Sequence, residues 1–244
     1  MIRMLIVSYV FAIWWRAAKL KANWRLTLQK KYDATRRSTV TDNCNIRDLV
    51  TSRYQVDAAP RKVLLFSGHM IDAPGRTQAR FPANKEPIAA DAIAKALVQI
   101  DSGPSDLAIC GGACGGDLLF AEASLGRGSR LELYIPFDEP IFLANSVNFA
   151  DANWQARFFA AKSHATLHVT PDECRPLLAG EDPYERNNLW MLECAGRFGT
   201  EKIDFICLWN GQGGDGPGGT QHLMQEVRRR AGRIHWLNTT QLWT

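Results

Sequence analysis

The sequence predicts an α/β protein: an open, mainly parallel, Rossmann-like sheet of about five or six strands with helices on both faces, plus an N-terminal helical arm. Three observations predict it. After Pro60, short apolar runs alternate with helical segments of about 10–15 residues, the pattern of βαβ units. The apolar runs are nearly continuous, as strands buried on both faces require. Of the 19 glycines, ten fall in two segments that each follow an apolar run and lead into a helix.

The elements follow in order. "KVLLFSGHM" (62–70) reads as a buried parallel strand ending near glycine, and "NKEPIAADAIAKALVQI" (84–100) has apolar residues at helical spacing. "DLAICGG" (106–112) is a second strand, "GDLLFAEASLG" (116–126) a helix and "RLELYIPF" (130–137) a third strand. "FLANSVN" and "NWQARFFAAKSHA" are helical, and "TLHVTP" (166–171) is a fourth strand. A long helix (183–199) closes at Gly199, and "KIDFICLWN" (202–210) is a fifth strand. The glycine-rich loop follows, then a helix (220–232) and a short last strand, "RIHWLNT".

Charge divides the chain. Residues 1–40 carry nine Lys/Arg and one acid, Asp33, so the remainder carries 20 bases and 24 acids. The basic character therefore belongs to the arm, and the main domain does not read as a nucleic-acid binder. The domain boundaries expected are 1–50 for the basic arm and 53–244 for the Rossmann-like domain. Residues 4–15 are apolar but too few to span a bilayer as a helix. They read first as a helix packed on the domain or a partner, and second as a helix lying at a membrane surface. The six cysteines form no CxxC pair and most lie in apolar surroundings. That usage implies a reducing, cytoplasmic compartment with no metal site and no disulfide framework.

In open parallel sheets, ligands sit at the carboxyl ends of the strands. Three loops fall there: Ser67-Gly68-His69, "CGGACGGD" (110–117) and "NGQGGDGPGGT" (210–220). A strand–glycine–helix junction aims backbone N–H groups at a common point, with the positive end of the helix dipole behind them. Gly111, Gly112, Gly115 and Gly116 fit this role before one helix. Gly216, Gly218 and Gly219 fit it before the helix that Thr220 is expected to cap, with Asp215 as a polar contact or a turn residue. Asp117 reads equally as a first-turn carboxylate or as an acceptor for a ribose hydroxyl. Glu122 lies in an apolar helix, where a carboxylate needs a pairing arginine or a ligand hydroxyl. His69 is a candidate acid/base group, though such a histidine is more often simply hydrogen-bonded. Arg76 and Arg80, in the long loop 72–86, are candidate anion clamps.

These residues resemble a known superfamily. "LAICGGACGGDLLFAEASLGRGSRLELYIPF" is similar to the core unit of the Rossmann-like (SLOG) superfamily that joins the DprA proteins and the LOG-type phosphoribohydrolases, and "PGGT" to the start of their PGGxGTxxE motif. With "VLLFSGHMIDAPGR", "RFP" and "RNNLWML", residues 53–244 resemble more closely a bacterial domain. That domain stands at the C-terminus of proteins with tetratricopeptide-like or TRAFs-binding regions, and beside cyclase domains. The resemblance implies binding of a nucleotide or nucleotide derivative between the two glycine loops, and homodimers as in related members. The sequence departs from the LOG motif. Thr220 follows Gly219 directly, and the position three beyond it is Leu223, with Glu226 further along.

The expectation is thus a sensor or regulatory module whose ligand is a nucleotide or nucleotide derivative, with no certain cofactor. The alternatives are a hydrolase of an N-glycosidic or phosphate bond using Asp117, Glu122 or His69, and a membrane-surface or protein-interaction module working through residues 1–40.

Overall fold

A computed structural model describes residues 59–150, 152–170, 177–178, 180–213, 219–230 and 232–243. The chain divides into two compact units, Met1–Asn43 and Cys44–Thr244. The predicted arm lies outside the described residues.

Each apolar run becomes a strand, buried on both faces in β1, β2 and β5 and more open at the edges of the sheet. The strands are β1 (Val63–Gly68), β2 (Leu107–Cys110), β3 (Arg130–Ile135), β4 (Ala165–Val169), β5 (Ile203–Trp209) and β6 (Arg233–Asn238). All pair in parallel, in the order β4-β3-β2-β1-β5-β6. The helices are α1 (Glu86–Gln99), α2 (Gly116–Gly126), α3 (Glu139–Ser146), α4 (Ala152–Lys162), α5 (Pro183–Gly196), α6 (Thr220–Arg229) and α7 (Thr239–Leu242).

Two cores sandwich the sheet. Leu64, Phe66, Cys110, Leu133 and Leu208 face one side and pack with apolar residues of α1 to α4. Val63, Leu65, Ile109, Phe205 and Cys207 face the other and pack with α5 and α6. Helices on both faces explain why the strands are apolar at nearly every position. The short α7 and the 3-10 turns Ala83–Lys85 and Thr200–Lys202 have no counterpart in the sequence reading. Each is about one turn long, too short for a periodic signal.

Local chemistry sets the helix ends. Pro183 follows Asp182, whose carboxylate caps α5 by accepting the Glu185 N–H at 2.8 Å. Away from the carboxyl edge, Asp106 is wholly buried and receives both arms of the Arg61 guanidinium, at 3.1 and 2.8 Å. Buried Asp204 of β5 is clamped by Arg233 and His235 of β6. Despite burial, which raises it, these partners hold the Asp204 carboxyl well below the usual range. Among the described residues Cys110, Cys114, Cys194 and Cys207 are free and buried.

Candidate ligand-binding site

Strands β1 to β4 extend the sheet one way, and β5 and β6 the other. The order reverses between β1 and β5, and in open parallel sheets the ligand crevice lies at the carboxyl ends of the strands at such a point. Four residues meet there. Ser67, at the end of β1, and Thr220, the first residue of α6, bring their hydroxyls to 3.0 Å across 153 residues of chain. His69 and Asn210, which follow the two strands, meet where the His69 Nε2 accepts the Asn210 N–H at 3.2 Å.

An Nε2 that accepts a hydrogen bond leaves the proton of a neutral imidazole on Nδ1. Burial, followed by the charge of Arg80, lowers the His69 pKa to about 4. The ring is therefore neutral at pH 7 and far from an optimal general base. Its evident work is to join two loops. Arg80 is itself held: the Asp72 carboxylate accepts the backbone N–H groups of Arg80 and Phe81 at 2.9 and 3.0 Å, closing the long loop. Arg76 reaches the same carboxylate at 3.4 Å.

The start of α6 corrects one expectation. Gly219 and not Thr220 occupies the N-cap position, and no side chain caps the helix. The first turn of α6 thus presents its backbone donors beside Ser67, with the helix dipole behind them. Asp215, Gly216 and Gly218 lie outside the described residues.

The first glycine loop differs from the cradle expected of it. The Gly112 N–H is directed at the Cys110 thiol, and the Ala113 N–H donates to Asp117 Oδ2 at 3.2 Å. Those of Cys114 and Gly116 donate to the Ser146 and His69 carbonyls at 2.8 and 3.1 Å. These donors are engaged within the protein. The glycines serve close approach instead. Gly115 has φ +95°, and a Cβ there would stand 2.6 Å from the Ile71 nitrogen. A Cβ on Gly111 would meet Asp117 Oδ2 at 2.9 Å, and one on Gly68 would meet Phe66 and Leu208 at 3.0 Å. Only glycine tolerates the first of these positions without strain.

Asp117 remains chemically distinctive. Its hydrogen bond from Ala113 stabilises the charged form, but burial outweighs it and raises the pKa to about 7. Glu122 is accounted for differently. Arg157 of α4 grips both its oxygens at 2.6 Å and also reaches Glu86 of α1 at 2.6 Å. Arg157 therefore fastens three helices with Glu122 as one anchor, and this pairing removes the reason for reading Glu122 as an acid/base group. Leu223 is fully buried, and Glu226 pairs with Arg229. Leu223 occupies the position three beyond Thr220, where the LOG motif has its glutamate.

Sequence reasoning missed Asn210, whose only signal is its place after β5. It also missed Tyr184, whose hydroxyl lies 3.0 Å from that of Ser146 and ties the first turn of α5 to the end of α3. Asn187 latches α5 to the sheet by donating to the Tyr134 carbonyl at 2.8 Å.

No protein-family model matches the chain, and no curated protein matches it. Among solved structures it is similar to DNA processing protein A (DprA) from Streptococcus pneumoniae, at 15% identity and a TM-score of 0.33. That match covers 77% of this chain and 59% of DprA, so the chain spans less than two thirds of its length. It is also similar to the Moco carrier protein from Chlamydomonas reinhardtii, at 11% identity and a TM-score of 0.31, over 75% of this chain and 98% of that one. Both likenesses are of fold alone.

Proposed function

We propose that the chain binds a nucleotide or nucleotide-derived ligand at the β1/β5 crevice and acts as a sensor or regulatory module. The observation that carries this reading is the Ser67–Thr220 contact, which sets the uncapped first turn of α6 at the reversal of strand order. A helix N-terminus at such a point favours phosphate. The neutral His69 adds a polar partner without a competing charge.

Gly219→Asp tests the reading. Gly219 has φ −71°, a conformation open to any residue. An aspartate at the N-cap satisfies the free donors of α6, adds stability of a few tenths of a kcal/mol and repels an anion. In a thermal-shift and calorimetric panel of AMP, ATP, NAD, ADP-ribose and cyclic nucleotides, the wild-type chain is expected to give a selective shift. The variant should keep its fold and bind about tenfold or more weakly, a difference of about 1.4 kcal/mol. Unchanged affinity in the variant would sink the proposal.

Turnover of the ligand is the second reading, and Asp117 is the observation that favours it, as a carboxyl that changes charge near neutrality beside the His69 segment. Product should then form in the same mixtures and disappear in Asp117→Asn. The third reading, through the basic residues 1–40, concerns a segment outside the described residues. Among the described residues no helix is long and apolar enough to cross a membrane.

A further inference from the structure

We propose that the exposed indole of Trp236 is the surface on which the planar base of the ligand stacks, so that Trp236 selects nucleotides over sugar phosphates. The inference rests on the reading above and deepens it.

Three tryptophans of the domain, Trp154, Trp190 and Trp209, are buried, whereas Trp236 on the edge strand β6 is 44% exposed. Its ring is nevertheless fixed. The indole N–H donates to the Trp209 carbonyl at 2.9 Å, and the two ring centroids lie 5.7 Å apart at 34°. Gly211, at φ +80°, packs so close that a Cβ there would stand 3.3 Å from the Trp236 ring. Trp209 in turn donates its indole N–H to the Gln212 carbonyl at 2.7 Å, and Asn210 Oδ1 accepts the Gln212 N–H at 3.0 Å. The pair of indoles therefore pins the root of the glycine-rich loop and leaves much of one ring open to solvent.

The ring also has the right place. Ser67 pairs in register with Cys207, and Cys207 with Trp236, so the three form one row across the sheet. By strand alternation all three point to the α5/α6 side. The backbone at Trp236 stands two strand spacings, about 10 Å, from that of Ser67, whose hydroxyl touches Thr220 of α6. That separation suits a nucleotide with its phosphate at α6 and its base over the indole. A ring already held still loses little freedom when a base stacks on it, and every base has a π face to offer. This predicts preference for a base without strong preference for which base.

Calorimetry on the full chain with AMP, GMP, CMP and UMP, each compared with ribose 5-phosphate, tests the proposal. The wild-type chain should bind the nucleotides more tightly than ribose 5-phosphate, and the nucleotides should quench tryptophan fluorescence. Trp236→Leu should weaken the nucleotides by about 10- to 100-fold, the usual worth of one base–aromatic stack. It should leave ribose 5-phosphate unchanged, and Trp236→Phe should retain most of the nucleotide affinity. Equal weakening of nucleotides and ribose 5-phosphate would make Trp236 a prop for the loop and overturn the proposal while leaving the crevice reading intact. No weakening, or wild-type binding of ribose 5-phosphate as tight as that of the nucleotides, would also overturn it. Absence of any binding to the wild-type chain would overturn both readings.

Discussion

His69, just after β1, and Asp117, in the first turn of α2, are neighbours joined where the Gly116 N–H donates to the His69 carbonyl, and burial is the main cause of both their pKa shifts. Burial disfavours the charged form of each, so the histidine falls from 6.5 to about 4 and the aspartate rises from 3.8 to about 7. The consequences for stability oppose each other. Between pH 4 and 6.5 the unfolded chain binds the extra proton at His69, so this contribution is complete above 6.5 and is lost as pH falls towards 4. Over the same range the folded chain binds the extra proton at Asp117, so that contribution is complete below 3.8 and is lost as pH rises through 7. Each slope is at most about 1.4 kcal/mol per pH unit, and the two largely cancel. Removing one should expose the other. Relative to wild type, His69→Gln should become progressively less stable as pH rises from 4 to 6.5, and Asp117→Asn progressively more stable. Urea unfolding midpoints at several pH values measure this. Difference curves without slope would show that the two groups titrate normally.

At the scale of elements, the inner strands β1, β2, β3 and β5 were legible because burial on both faces forces near-continuous apolar runs. The edge strands β4 and β6 were legible from mixed runs, and the main helices because their apolar spacing is helical. Ends moved by only a few residues. The glycine loops were legible as unusual but not in what they do. Composition shows that residue 115 lacks a side chain, whereas the backbone that presses on it belongs to Ile71, 44 residues earlier. The same limit applied to Glu122. Its cost in an apolar helix was apparent, but its partner, Arg157, is fixed only once α4 packs beside α2. That grip yields a prediction about the helical layer. The Arg157 guanidinium is mostly buried, at 16% exposure, and lies 4.0 Å above the Trp154 ring. Arg157→Ala would leave Glu86 and Glu122 as neighbouring like charges and remove the cation from the indole. A loss of about 1–3 kcal/mol is expected, lowering the thermal midpoint by several degrees. A change below about 0.5 kcal/mol would place Arg157 among ordinary surface charges.

For the whole molecule, the strand order separates what makes the fold from what is added to it. β1, the first strand in sequence, is central, and every later strand adds outward from it on one side or the other. Among the described residues, both apolar cores draw on residues after position 60, within the unit Cys44–Thr244. Deleting the first 43 residues, the other unit, tests whether the sheet draws on them. Those residues hold nine bases and two acids, so removing them takes the net charge from +4 to −3. This separates stability from surface attraction. The fragment Cys44–Thr244 should unfold in one cooperative transition and keep the nucleotide-induced shift of the full chain. The full chain, and not the fragment, should co-sediment with vesicles containing anionic lipid, with binding that weakens as salt rises. A fragment that aggregates or loses ligand binding would make the arm part of the folded unit. A fragment that still binds vesicles would place the membrane contact on the Rossmann-like domain, whose charge by itself gives no reason for it.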